Sequence, residues 1–193
     1  VLFAVLTIGA SVVFAISTAL QQFIRQDSGL AAIYQQGLGH EIGLSRTIDG
    51  FTVTVEWAYA DGNRLTMAYE IQGHPGAQYT NLHGGYALTD RADGAQIPLI
   101  EGWNALLDAN GGLLEGGALP VSDRSVSVFS YDLSALPLQG RSSLDLRLEM
   151  RVQAITIQQR TLTPMEKFDE MNEGPDEAFV FEFNLPLVSD QRL

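Results

Sequence analysis

The clearest pattern in the chain is an alternation of apolar and polar side chains that begins at Phe51. Apolar residues occupy every second position over 51–59 and again over 65–71, and a turn sequence, ADGN (60–63), separates the two stretches. Successive side chains of a strand point to opposite faces, so the pattern predicts a β-hairpin with one buried face. Trp57 falls in the apolar set and is expected in the core. A lone hairpin is marginal in water, so a partner sheet is also expected.

Further strands are predicted along the chain, with turn sequences between them. Residues 72–123 are rich in glycine and form the less regular half, with short candidate strands at 86–89 and 96–100. Regular alternation returns over the last third, where the predicted strands are 125–133, 144–157 and 178–187. About seven short strands of this kind predict a mainly β fold, an antiparallel Ig-like β-sandwich.

The strand predicted at 144–157 changes phase near its end. Apolar residues hold the even positions up to Val152, and then Ile155 and Ile157 hold odd ones. A bulge or bend near Gln153 would explain the change of phase.

The chain opens with an apolar run, VLFAVLTIGASVVFAISTAL, whose character continues to Ile24 without a charge. About twenty helical residues span ~30 Å, the thickness of a bilayer core. A cleaved signal peptide is the first alternative, but the run is long for one. A buried soluble helix is the second, but no polar face is visible. The run therefore predicts a transmembrane helix over residues 1–24. The first residue is Val1 and not Met, which suggests maturation or a longer polypeptide.

The predicted membrane helix carries a row of small residues, Ser11, Ala15 and Ala19, at a spacing of four. Such a row allows another helix to pack closely, and small residues are also common in membrane helices generally. Residues 25–45 are expected to form a stalk, and residues 46–193 an extracytoplasmic sandwich domain. By the positive-inside rule, the N-terminus is predicted to be cytoplasmic and the remainder to lie outside the cell membrane.

The charge balance excludes some functions. The formal net charge is −12, and every charged residue follows the first 24 positions. A nucleic-acid-binding surface needs clustered lysine and arginine, so no nucleic-acid partner is expected. The absence of cysteine excludes thiolate zinc sites, iron–sulfur clusters and cysteine nucleophiles. The predicted partners are the lipid bilayer and other membrane proteins, with the ligand unknown.

No catalytic constellation is visible. His40 and Glu41 begin an HExxH sequence, but position 44 is leucine, and the three histidines share no ligand spacing. Six carboxylates occur over 166–177 without the order of a calcium loop. We therefore expect a non-enzymatic protein without a metal or a cofactor.

Two features suggest a surface for a protein partner. Trp103 lies beside glycine in the irregular half, where it is either core or an exposed anchor. The acidic run is expected to be a solvated loop, with one helical turn possible near Thr163 and Pro164, and it would suit a basic partner. The residues predicted for this surface are Trp103, Glu166, Asp169, Glu170 and Glu173.

Residues 38–73, LGHEIGLSRTIDGFTVTVEWAYADGNRLTMAYEIQG, resemble a known family. The stretch is similar to the uncharacterised extracytoplasmic β domain that follows the membrane helix in bacterial membrane-tethered anti-sigma factors. The resemblance implies an extracytoplasmic β-sandwich that senses or binds another molecule, and it transfers no catalytic residue. Those proteins act on the sigma factor through a cytoplasmic segment ahead of the helix. No such segment is expected within these 193 residues.

The function predicted from the sequence is that of a single-pass, membrane-anchored, extracytoplasmic binding or regulatory module without catalytic activity. Two alternatives remain open. One is an accessory structural subunit of a larger membrane protein complex. The other is a pilin-like filament subunit, which also places an apolar helix before a β head.

Overall fold

The computed structural model describes residues 17–114, 120–158 and 169–188. Within these residues two short helices precede ten strands, and the strands form two antiparallel sheets. The helices are α1 (Thr18–Gln26) and α2 (Ser28–Gln35). The mainly β, two-sheet architecture that the alternation predicts is confirmed, consistent with a sandwich.

The first sheet has the strand order β1-β2-β3-β7-β6. Its strands are β1 (His40–Ile48), β2 (Phe51–Ala60), β3 (Arg64–Gln72), β6 (Leu99–Leu106) and β7 (Arg124–Asp132). The β2–β3 hairpin is the one predicted from the alternation. A two-residue turn joins β1 to β2, with Asp49 at φ 48° and Gly50 at φ 80°. Two positive φ angles are the requirement of the type I′ turn, which matches the twist of a hairpin.

The second sheet has the order β10-β8-β4-β5, and β9 also pairs with β8. Its strands are β4 (Tyr79–Asp90), β5 (Ala95–Gln96), β8 (Ser143–Gln158), β9 (Asp169–Glu173) and β10 (Phe179–Pro186). The outer face of this sheet carries ion pairs at 3.3 Å, for example between Arg147 and Glu182. This outer face is therefore polar.

The main core lies between the two sheets. Alternate residues of β3 and β8 supply much of it, including Leu65, Met67, Leu146 and Leu148, all of which are fully buried. The even-numbered apolar residues predicted to share one face of β8 are buried through Val152.

The two helices cover part of the outer face of the first sheet. Ala19, Leu20 and Ile24 of α1 are buried in a second apolar cluster, which we call the outer cluster. Its sheet side includes Trp57, Tyr59, Ala68, Leu107, Val126 and Val128. Ala19, Leu20, Phe23 and Ile24, which were expected within the membrane helix, thus pack on the protein's own sheet. Burial of apolar side chains away from water is favourable both in lipid and against an apolar sheet surface. None of the helices in the described residues has the length and apolar character to span a bilayer.

A β-bulge in β2 explains how the first sheet acquires two apolar faces. The register with β3 shifts between Val55 and Trp57, which places Glu56 at the irregularity. Val55 faces the core between the sheets, but Trp57 and Tyr59 face the helices. The prediction that Trp57 shares a face with Val55 is wrong, because a one-residue shift reverses every later side chain. Trp57 is nevertheless buried, with 2% of its surface exposed.

Other differences concern the segments expected to be irregular. The predicted stalk contains α2 and most of β1, and β1 is hydrogen-bonded to β2. The glycine-rich half contains the whole of β4, and the acidic run contributes β9. The irregularity expected near Gln153 lies instead in β4, between Tyr79 and Asn81, opposite an unbroken β8.

Candidate functional site: a groove between the helices and the first sheet

A cavity of about 460 Å³ opens between the two helices and the outer face of the first sheet. We call it the groove. Its lining comes from α1, α2, the strands β2, β3, β6 and β7, and the segments that flank them. The volume falls within the range of small-molecule sites.

Aromatic and aliphatic side chains form one part of the groove. Phe23 of α1 stacks on Trp103 of β6, with ring centroids 4.3 Å apart and an interplanar angle of 26°. Leu30 and Ile33 of α2 and Val128 of β7 add aliphatic surface. The stack joins the helical cover to an edge strand, and it places Trp103 in the wall of the groove, half-buried.

Asp27 forms part of the polar lining and also fixes the second helix. It lies between α1 and α2, and its Oδ1 accepts hydrogen bonds from the backbone N–H groups of Gly29 (2.8 Å) and Leu30 (3.0 Å). This is an N-cap, in which a side-chain oxygen satisfies the free N–H groups of the first helical turn. The negative charge is thereby held at the positive end of α2.

Asp61 is held in place by the β2–β3 turn. Its Oδ1 accepts backbone hydrogen bonds from Asn63 and Arg64, both at 2.8 Å, and its Oδ2 accepts one from the hydroxyl of Tyr59 at 3.1 Å. Asp61, which the sequence identified only as part of a turn, therefore also presents a carboxylate to the groove.

Arg64 and Glu101 complete the charged part of the lining, to which Thr66 and Ser130 add two hydroxyl groups. The Arg64 guanidinium pairs with the carboxylate of Glu101, and their side chains are 47% and 65% exposed. An ion pair this exposed contributes little to stability. Together with Asp27 and Asp61, the groove holds three carboxylates and one guanidinium, so its formal charge is negative.

A second polar cluster fixes the start of α1. The backbone N–H of Ser17, the N-cap of α1, donates to Oε2 of Glu56 at 3.1 Å. Burial raises the pKa of Glu56 above its ordinary value, and the nearby carboxylate of Glu70 adds to the rise, while the bonds from Ser17 oppose it. Glu70 is itself paired with Arg124 at 2.8 Å. Glu56 thus links the bulge of β2 to the point where the helical cover begins.

The structure brings Trp103 of the predicted partner surface into the groove. Asp169, Glu170 and Glu173 fall in β9 and not in a loop, and Glu173 is exposed. Glu166 and the side chains of Asp169 and Glu170 lie outside the described residues. In the predicted helix-packing row, Ser11 and Ala15 also lie outside the described residues, and Ala19 is fully buried against the sheet.

The other groove residues were not identified from the sequence. Phe23 and Asp27 are far along the chain from Arg64 and from Glu101, and only the fold brings them together. One signal was present, since Asp27 followed by Ser-Gly and an apolar stretch is typical of a helix N-cap. Across the described ranges, no three His, Asp or Glu residues are grouped in a way that could hold a metal ion.

Comparison with known proteins gives two similarities. Residues 1–73 match a domain of unknown function, DUF4179. The matched region includes both helices and β1, β2 and β3. No match was found among curated proteins.

The second similarity is to the crystal structure of a conserved domain protein from Bacillus anthracis, at 12% sequence identity and a TM-score of 0.43. The alignment covers 77% of this chain and 48% of the other, so this chain spans about half the length of that protein. The resemblance to membrane-tethered anti-sigma factors stays a prediction.

Proposed function

We propose that this chain is a non-catalytic binding module that recognises a small ligand in the groove. The observation that carries the proposal is the cavity itself, which combines an aromatic stack with several polar groups. Binding sites for small molecules are mostly apolar concavities in which a few placed polar groups fix the orientation of the ligand. The groove has this composition, and its polar groups are held by hydrogen bonds to turns and a helix end.

We further propose that the module is held at the cell membrane on the extracytoplasmic side. Support comes from the sequence, in which the residues ahead of Ser17 are uncharged and strongly apolar. In this proposal any membrane segment ends before Ser17, because Leu20 and Ile24 pack on the sheet. The resemblance to the outer domain of anti-sigma factors favours a sensory role over a purely structural one.

Ligand binding in the groove is tested by filling it. Ala32 of α2 lines the groove and is exposed, so Ala32→Phe adds a ring there without removing a described side-chain contact. Gln35→Phe adds the same ring at an exposed position of α2 that does not line the groove. Ligand-observed NMR with a library of small aromatic molecules, on the full chain, should detect binders that Ala32→Phe loses and Gln35→Phe retains. Binders that are insensitive to Ala32→Phe would contradict the proposal.

Membrane attachment is tested separately. The native protein should sediment with membranes and stay there after alkaline carbonate extraction. It should also be accessible to protease added outside the cell. Recovery of the intact chain in the soluble fraction would contradict the anchored part of the proposal and leave the groove unaffected.

A further inference from the structure

We infer that the ligand of the groove is an amphipathic organic cation, a molecule with an apolar body and one ammonium or guanidinium group. The inference rests on the proposed function, because it assigns a chemical class to the ligand of the same groove. The juxtaposition that carries it is an aromatic wall beside a polar lining in which carboxylates outnumber the single guanidinium.

The charge of the lining favours a cation. Asp27, Asp61 and Glu101 contribute three negative charges, and Arg64 contributes one positive charge that Glu101 already pairs. The wider field has the same sign, since the chain carries a formal net charge of −12. A negative potential over a concave surface concentrates cations and repels anions.

Two of the carboxylates have an oxygen that is available to a ligand. Asp27 caps α2 through Oδ1, and within residues 17–114, 120–158 and 169–188 no hydrogen bond reaches its Oδ2. Glu101 pairs with Arg64 through Oε1, and over the same residues its Oε2 is likewise without a donor. Asp61 uses both oxygens for Tyr59 and the turn, so it supplies charge more than a bonding position. An ammonium donates up to three hydrogen bonds and would replace water at these oxygens.

The rest of the lining suits an apolar body of limited size. The Phe23–Trp103 stack, with Leu30, Ile33 and Val128, offers surface from both the helices and the sheet. Aromatic faces also attract a cation directly, and Trp is the strongest of them. A free carboxylate or phosphate ligand would meet three like charges and one guanidinium that is already paired.

Three probes of similar shape separate the contributions of the body and the charge. They are 2-phenylethylamine (cation), 2-phenylethanol (neutral) and 3-phenylpropionate (anion), titrated by NMR into the full chain at low ionic strength. We expect the amine to bind most tightly, the alcohol more weakly, and the anion most weakly. Added salt should weaken the binding of the amine and leave the binding of the alcohol nearly unchanged.

The Asp27→Asn variant tests the charge without removing the helix cap, since asparagine caps as well as aspartate. The amine should bind about three- to tenfold more weakly, which is typical of losing one partly exposed charge contact. Binding of the alcohol should not change. Asp108→Asn is the matched control, because Asp108 also accepts loop N–H groups, from Asn110 and Gly112, and does not line the groove.

The outcomes distinguish the inference from the proposed function. If the amine and the alcohol bind equally, or if Asp27→Asn and Asp108→Asn behave alike, the inferred class is wrong and groove binding survives. If the anion binds best, the inferred class is again wrong. If no probe shows binding that Ala32→Phe abolishes, both the class and the proposed function fail.

Discussion

The substitution Leu20→Ala tests directly whether α1 packs on the first sheet. Leu20 has no exposed surface and lies in the outer cluster with Ile24 and Trp57. Replacing a fully buried leucine with alanine typically costs about 2–5 kcal/mol, from lost transfer free energy and the residual cavity. We therefore expect Leu20→Ala to weaken the docking of α1 severely.

The expected size follows from the few side chains that hold the helix. Leu20 and Ile24 are the large buried residues of α1, and full burial of each contributes roughly 1.5–3 kcal/mol, or about 3–6 kcal/mol together. Leu20→Ala removes about half of this hydrophobic contribution. The sandwich core between the sheets is separate, so α1 should detach before the sheets unfold.

Two measurements report this detachment on the full chain. Amide hydrogen exchange over Thr18–Gln26 should become at least tenfold faster in Leu20→Ala. The tryptophan fluorescence should shift to the red, because Trp57 and Trp103 both pack against α1 and lose that cover. Arg25→Ala, at an exposed position of the same helix, should leave both signals close to those of the unmodified chain. Equal exchange in the two variants would refute the packing of α1 on the sheet and restore the possibility that residues 18–24 lie in lipid.

Three further predictions concern the sheets. Asp90→Asn should lower the free energy of unfolding at neutral pH by about 2–4 kcal/mol in urea titrations, because it leaves the guanidinium of Arg141 without its fully buried partner. The bonds from Arg141 lower the pKa of Asp90 below its ordinary 3.8. The stability that the Asp90 carboxylate contributes is therefore present above pH 3.8 and is lost as the pH falls through the lowered pKa. The Asp90→Asn variant should not show this loss of unfolding free energy at acid pH. Burial raises the pKa of Glu56 above 4.5, so its contribution is present below 4.5 and lost as the pH rises through the raised value. Glu56→Gln should make the free energy of unfolding less dependent on pH over that range and should raise it at neutral pH. An unchanged pH profile would contradict this account. Gly102→Ala should lower the free energy of unfolding by about 1–3 kcal/mol in thermal or urea titrations, because the new methyl group would overlap the ring of Phe129. Gly85→Ala is the control and should be neutral, because its methyl group would meet nothing within 4 Å.

The sheets were predictable where one face is apolar and the other polar. The alternation in β2 and β3 and the turn between them identify the central hairpin, and the same rule identifies β8 and β10. Period-two alternation fails for β1, whose residues are partly or fully exposed and include glycine. A strand that pairs through its backbone at the edge of a sheet needs no apolar pattern, so its sequence resembles that of a linker.

The groove could not be predicted, for two physical reasons. The bulge at Glu56 reverses Trp57 and Tyr59, and nothing in the sequence marks a bulge in an uninterrupted alternation. The spacing of Ala19, Leu20, Phe23 and Ile24 does mark one apolar helix face, but the uncharged apolar run ahead of it hides this pattern in the sequence. Without a second apolar face on the sheet and a helix to cover it, no cavity is expected between them.

The stack of Phe23 on Trp103 makes the groove conditional on the position of α1. A molecule that touches both rings can bind only while the helix is docked, so occupancy and docking are linked equilibria, and each stabilises the other by the same free energy. The chain enters α1 at Ser17, directly after its uncharged residues. A force applied to the chain at Ser17 therefore opposes ligand binding in the groove. A tightly bound ligand in turn raises the force that is needed to detach α1 from the sheet.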